Sequence, residues 1–552
     1  MSSCSVRNTT MKTILLTLLS ASTALAAVTL NTTSYMKLPS CESGSEDMFL
    51  DSAVKAVFDP ASRLLYVTGS TCLHVVSIEN PSRLVLVYTK FFNKANDGKI
   101  VDIALCGNKL ALLLESTFQY TEGHFYDCTR FNFNTDPPVD CTDAITVGES
   151  PKSMAFTPDC SKLVVANEGR AGTLNGRRTD PDGSITVVTM NSDPSYSRKL
   201  SFTHFNNNYL SYIEKGVRNP FSDDVTTTFS QDIEPEAVAI SDDGQWAYIT
   251  LPENNAMAII NLVTEAWDDI YPLGTKAWGG SRLFDGSDID GGPFLNSYDV
   301  RGMYQPTGAV FVTTGISSYV VTANTGAPKV YTTAEQGVDF TDAISAANAM
   351  ANNLIDQTEI SGSLALDLSS DYRLGRLLIS NRDGRSETIN TLIKTVHLFG
   401  GRDIGFFNTA TKTFSFTTND DLEKKAQERY PAVFNGDCSN ASVSPAAEMD
   451  SRSIKLGPEP NVVVAGTFNR VPLIAAATRN GLIYLYSMAF DSPFYESVYR
   501  YGDPNESWDQ NQDGLISDMG YINENVLAGG RPHLFVVSKG TGSISLKEIR
   551  SE

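Results

Sequence analysis

The residues with the clearest chemical spacing are Asp509-Gln510-Asn511-Gln512-Asp513-Gly514-Leu515-Ile516-Ser517-Asp518. Oxygen-bearing side chains at the first, third and fifth places, then a glycine, suit the flexible arc that a hard cation such as calcium requires. Gly520 stands where an EF-hand loop carries its bidentate glutamate, so Asp518 is the expected substitute. The expected metal ligands are therefore Asp509, Asn511, Asp513 and Asp518, and a solvated acidic turn is the plainer reading. A second acidic loop, Asp285-Gly286-Ser287-Asp288-Ile289-Asp290-Gly291-Gly292, has weaker spacing and reads as a turn-rich insertion. A proline step recurs in another pattern: Glu149-Ser150-Pro151-Lys152, Ile233-Glu234-Pro235-Glu236, Tyr304-Gln305-Pro306-Thr307 and Pro458-Glu459-Pro460-Asn461 each precede an apolar stretch. If these steps converge, Glu234, Glu236 and Glu459 crowd one dehydrated space. That arrangement needs a cation or basic partners, for which Arg382, Arg385 and Arg402 are available. The five histidines are dispersed, and no nucleophile elbow, phosphate loop or dinucleotide fingerprint is present. Hydrolysis would have to work through carboxylates and metal, with Glu234, Glu236 and Glu459 holding the ion and Arg382 or Arg402 holding phosphate.

Such residues can meet only if the chain brings distant segments to one place. A hairpin signal recurs as Val57-Phe58-Asp59-Pro60…Leu65-Tyr66-Val67-Thr68, Ala155-Phe156-Thr157-Pro158…Val164-Val165-Ala166 and Ala239-Ile240-Ser241-Asp242…Tyr248-Ile249-Thr250. Each copy is an apolar strand, a polar turn and a strand rich in β-branched or aromatic residues. One such unit cannot bury both faces, so repetition implies blades or solenoid turns. Strand clusters begin near Val54, Ile100, Lys152, Ala237, Ala309, Ser363 and Val462, with a last pair at 534–537 and 543–546. Helical periodicity is confined to residues 340–357 and 420–428. The fold class expected is all-β: a single propeller over residues 27–552, seven-bladed with eight as the rival count. The segment before Val54 would close the last blade and so remove an open sheet edge. The innermost strands of a propeller line its channel, which would place the polar residues at their starts around one mouth.

Of 552 residues, 41% are hydrophobic and 19% charged, with a net charge of −21. That acidity disfavours nucleic acid and suits cations or mineral surfaces, although keeping a secreted protein soluble is its simplest role. Residues 1–26 read as a secretory signal, with Lys12 before Thr13-Ile14-Leu15-Leu16-Thr17-Leu18-Leu19 and a small-residue cleavage pattern at Ala24-Leu25-Ala26. The apolar run is too short to span a membrane. A secreted, extracellular product is expected. Cys128 and Cys141 flank a short polar segment and form the expected local disulfide; Cys41, Cys72, Cys106, Cys160 and Cys438 cannot be paired from sequence. Asn31, Asn440 and Asn505 each head a glycosylation sequon in polar sequence.

Taken in order, residues 150–169 with Asp182-Gly183-Ser184-Ile185, residues 232–262 with Glu253-Asn254-Asn255, and Gly302-Met303-Tyr304-Gln305-Pro306 resemble the choice-of-anchor class I domain. Phe399-Gly400-Gly401-Arg402-Asp403 and Asp450-Ser451-Arg452-Ser453 followed by Gly457-Pro458-Glu459-Pro460 extend the resemblance over nearly the whole chain. Bacterial surface proteins and the mesenchyme-specific cell-surface glycoproteins of biomineralising animals share that domain. The resemblance implies a secreted propeller with extracellular, calcium-linked roles, with a mineral surface or matrix proteins as partners. It also supplies the alternative of an alkaline-phosphatase-like or phytase-like hydrolase. Asn461, Thr325 and Asp403-Ile404 depart from the expected pattern, and the first two thin the carboxylates that a phosphatase site would use.

Overall fold

The computed structural model describes residues 27–41, 51–116, 121–174, 177–190, 196–220, 227–333, 337–385, 392–438, 440 and 442–552. The expected signal segment, 1–26, lies outside them. Each recurring hairpin forms the inner pair of an antiparallel sheet: Lys55–Asp59 with Leu64–Thr68, Pro151–Phe156 with Lys162–Asn167, and Val238–Ile240 with Trp246–Leu251. At each reversal an aspartate accepts from the backbone two residues on: Asp59 from Ala61, Asp159 from Ser161 and Asp243 from Gln245. This local capture satisfies the backbone where the chain turns.

Among the described residues, seven four-stranded sheets are built this way. Their innermost strands are Lys55–Asp59, Lys99–Cys106, Pro151–Phe156, Val238–Ile240, Gly308–Thr313, Pro460–Phe468 and Ile516–Ile522. Each touches the innermost strand before and after it, and the seventh touches the first. The sheets are blades around one axis, a seven-bladed β-propeller, which settles the count against eight. Blade 7 is completed by Val28–Lys37, which pairs along Ser543–Ser551 as the outermost strand. Side-chain alternation glues the ring: Leu163 and Val165 of blade 3 face blade 2, whereas Val164 and Ala166 face blade 4. Every neighbouring pair of blades shares an apolar core of this kind. Each fully buried aliphatic side chain contributes about 1.5–3 kcal/mol there.

Two elements differ from expectation. Ser363 does not begin a blade; it lies in the helix Gly362–Ser369, whose Leu364 and Leu368, one turn apart, face a separate core. That core belongs to an insertion with a mixed sheet of Thr275–Ala277, Arg301–Met303, His397–Leu398, Leu378–Ser380 and Ala343–Ser345. The seventh blade comes instead from both ends of the chain. The helix expected over 340–357 shortens to Ala346–Ala351, while that over 420–428 is found at Asp421–Arg429.

Candidate functional site

A cavity of about 580 Å³ lies on the propeller axis, lined by residues from the start of all seven innermost strands. In blades 2, 3, 6 and 7 these strands open with a bulge, after Ile100, Pro151, Pro460 and Ile516. A bulge re-aims side chains at a rim, and here it also stitches blades together. Asp102 accepts from the Met154 amide of blade 3 at 2.7 Å, and Asp518 accepts from the Ala56 amide of blade 1 at 2.9 Å. Lys152, Glu236, Thr307 and Asn461, each directly after a proline of the recurring step, all line the cavity. The distant steps are therefore neighbours at one mouth.

The mouth is divided by charge. On the side of blades 5 and 6 it is neutral: Thr307 and Thr325 hydroxyls meet at 2.6 Å, and Asn461 Nδ2 donates to the Ile516 carbonyl at 2.6 Å. On the side of blades 3 and 4, Lys152 Nζ lies 3.3 Å from Glu168 and 3.2 Å from Glu236. Lys329, from the insertion, lies 2.9 Å from Glu234 and 3.5 Å from Asp232. Glu253 joins this group, and its buried Oε2 accepts from no donor. Burial pushes Glu234 up to about 7, with Lys329 opposing and Glu168 adding to the rise. Burial likewise raises Asp232 to about 6 and holds Glu253 well above its ordinary range, with Glu234 and Glu236 adding to it. Five acids thus gather around Lys152 and Lys329, with Lys55 also acting on Glu236 and Arg218 on Asp232, an arrangement that burial biases toward holding protons.

The expected set is only partly assembled. Glu234 and Glu236 share this cluster, whereas Glu459 is held by Arg452 and, at 3.6 Å, by Arg479, with Asp437 bridging the two arginines. Arg402 is completely buried. Its Nη1 donates to the Asp285 carbonyl at 2.8 Å and to Glu423 at 3.1 Å, and Nη2 donates to the Ser453 carbonyl at 2.7 Å. Gly457, with φ of +67°, lies against its guanidinium, where a Cβ would come within 2.8 Å of Nη1. Arg402 therefore staples two loops and is not open to phosphate. Arg382 lines another cavity, of about 550 Å³, with Arg218, Asp383, Arg385 and His397. Asp403 pairs with buried Lys276 at 3.0 Å, which accounts for an acid at that position. Asp232, Glu168, Glu253 and Lys329 lie outside the expected set of site residues. Glu168 had a signal in the repeat of Asn167-Glu168-Gly169 as Asn324-Thr325-Gly326, but Lys329 sits in an insertion without periodicity.

The loop at 509–518 does not gather its oxygens. Asp513 is buried and bound to Lys547 Nζ at 2.6 Å and to Ser545 Oγ at 3.1 Å. Gln512 is drawn inward by Arg500 at 2.7 Å. Asp518 faces the axial cavity, 3.9 Å from Lys55. Asp509 accepts from Ser507 and Gln510, and Asn511 is exposed. Alternate positions converge only if the chain coils about an ion, and here two of the expected ligands are committed to lysines on other strands.

Cys128–Cys141 forms as expected, across the two outer strands of blade 2. Cys41–Cys72 ties the entry segment to blade 1, and Cys106–Cys160 joins blade 2 to blade 3. Cys438 is buried and unpaired, and burial pushes its thiol far up. Asn440 and Asn505 are exposed, while Asn31 is half-buried on the closing strand. Among the described residues no helix is long and apolar enough to cross a membrane.

Ring, stitched inner strands and polar mouth define a closed seven-bladed β-propeller. The chain belongs to the choice-of-anchor I domain family, whose model matches residues 54–490. It is 28% identical over 314 residues to a mesenchyme-specific cell surface glycoprotein of Strongylocentrotus purpuratus, a match covering 53% of this chain and 40% of that protein. The chain thus spans about two fifths of the length of that relative. Among solved structures it is similar to the β-propeller domain of Myceliophteria thermophila Cps50 (Swd1), at 8% identity and a TM-score of 0.42, over 95% of this chain and 100% of that one. It is also similar to the WD40 domain of Neurospora crassa Pan2, at 9% identity and a TM-score of 0.44, over 94% and 95%.

Proposed function

We propose that this protein is an extracellular or cell-surface glycoprotein that acts by binding, a rigid propeller that carries calcium and presents acidic surface to matrix or mineral partners. The observation that carries the reading is the set of three disulfides, two of which lock elements far apart in sequence. Such bonds persist in oxidising compartments. Exposed Asn440 and Asn505 offer glycan sites, and the Strongylocentrotus purpuratus relative is a cell surface glycoprotein. Binding is favoured over hydrolysis because two of the groups a phosphatase would use are tied down, Arg402 in a buried staple and Glu459 between two arginines, and Arg382 lines a separate cavity from Glu236.

Expression of the full chain in a secreting animal cell tests this. Processed protein in the medium, shortened by deglycosylation at Asn440 or Asn505 and showing three disulfides by non-reducing peptide mapping, is the expected result. Retention in the cytosol with reduced cysteines would overturn the location. Calcium-dependent turnover of a simple phosphate ester, abolished by Glu234→Ala, would overturn the binding role.

A further inference from the structure

The loop that looked least like a metal site gathers oxygens best. Asp285, Asp290 and Asp450 each bring a carboxylate oxygen within 4.8 Å of the others. Asp285 and Asp290 lie in the connection from blade 4 to blade 5, and Asp450 in the connection from blade 5 to blade 6. Backbone amides hold Asp285 in place, from Ser287 at 3.1 Å and Phe294 at 2.6 Å, and Ser453 Oγ donates to Asp450 Oδ1 at 2.5 Å.

Among the described residues no lysine or arginine forms an ion pair with these three carboxylates. The charged neighbours acting on Asp285 and Asp450 are acids: each other's group, Asp288 and Glu423. Asp288 is already paired with Arg376 at 2.7 Å, and the Arg402 guanidinium is spent on Glu423 and on carbonyls. A separate observation points to a missing partner. Asp450 is 2% exposed, yet its Oδ2 is buried and accepts from nothing. Asp290 Oδ1, of the same group, is buried in the same condition, and so are Glu423 Oε2 and Asn435 Oδ1 nearby in the chain's fold. Asn435 is joined to the group through Glu423 at 2.7 Å and Ser453 at 2.9 Å. Buried acceptors without donors are costly and rarely left so. A cation between the three aspartates would give the Asp450 and Asp290 carboxylates the partner they lack.

We propose that Asp285, Asp290 and Asp450 hold a calcium ion that clamps the blade 4–5 connection to the blade 5–6 connection. This rests on the calcium part of the functional reading and moves the ion away from the 509–518 loop. The donors are all oxygen, which suits a hard cation, and their uneven placement on two loops suits calcium over the stricter octahedron of magnesium. An approach from solvent exists, since Asp290 also lines an open pocket of about 480 Å³.

The test uses the full oxidised chain, stripped with a chelator and titrated with terbium(III), with calcium and then magnesium as competitors. Trp278 and Tyr298 flank Phe284 at 5.0 and 5.4 Å and serve as the sensitising rings. Expected are sensitised emission, its displacement by calcium before magnesium, and affinity roughly tenfold or more weaker in Asp290→Asn and in Asp450→Asn. Asp509→Asn should bind as the parent does. Both site variants remove repulsion, so in chelator they should melt no lower than the parent. Melting lower there, or unchanged emission in Asp290→Asn/Asp450→Asn, would overturn the site. Loss in Asp509→Asn alone would keep calcium but place it in the other loop. No uptake by the parent would overturn the calcium reading itself.

Discussion

Replacing Lys329 with methionine removes a cation that reaches both Glu234 and Asp232 while roughly keeping side-chain volume. Lys329 is buried and lies 2.9 Å from Glu234. Stripping one partner from a buried pair costs about 3–5 kcal/mol. The cost should depend on pH, and its sign follows from the direction of the shifts. Glu234 is raised in the folded protein to about 7, and Lys329 is what restrains it. In Lys329→Met the folded state keeps a proton there that the unfolded chain gives up, so stability is present at low pH and lost as pH rises. Holding a carboxyl protonated costs about 1.4 kcal/mol for each unit above its ordinary value. Because Glu234 already stands at about 7 in the parent, against an ordinary value of 4.5, both proteins hold that proton near pH 5 and the variant loses little there; near pH 8 only the variant still holds it, an extra loss of about 1.4 kcal/mol. Urea unfolding of the oxidised protein at the two pH values, followed by tryptophan fluorescence, measures both losses. Equal losses at the two pH values, or none near pH 8, would refute the view that this lysine neutralises a dry acidic cluster.

Lys547→Met should cost about 3–5 kcal/mol by stranding Asp513, and adding Asp513→Asn should recover much of it; a double variant no more stable than the single, in the same unfolding assay, would count against the pairing. Cys106→Ser/Cys160→Ser opens a span of 54 residues and should cost about 4 kcal/mol in chain entropy alone. Cys438 should resist alkylation in the native protein and react at once in denaturant, as read by mass spectrometry; fast native labelling would contradict its burial. Deleting residues 27–37 should lower the melting temperature, and a peptide of that sequence should restore it, because the exposed edge of Ser543–Ser551 remains competent to pair.

Much of the propeller was legible because its signals are local. The aspartate turns at Asp59, Asp159 and Asp243 and the β-branched runs beside them depend on neighbours a few residues apart, and they mark real hairpins. The proline steps also carried their meaning, since Lys152, Glu236, Thr307 and Asn461 do meet. What sequence hid was partner choice. Asp513 looks like a ligand until Lys547, on a strand far along the chain, takes it. Asp285 and Asp290 look like filler until Asp450 arrives from another connection. Lys329 and Ser363 both lie in the insertion, which obeys no blade period.

The strand Val28–Lys37 pairs with Ser543–Ser551, so the ring joins the chain's two ends. During synthesis the early strand therefore waits unpaired while some five hundred residues emerge, on the order of half a minute to two minutes at ordinary ribosomal speed. An unsatisfied edge over that interval invites pairing with another nascent chain. Cys106–Cys160 and Cys128–Cys141 can form long before the seam closes and would lock the second and third blades early. Oxidative folding thus has reason to begin at the front of this molecule, and the seam between residues 28–37 and 543–551 closes last.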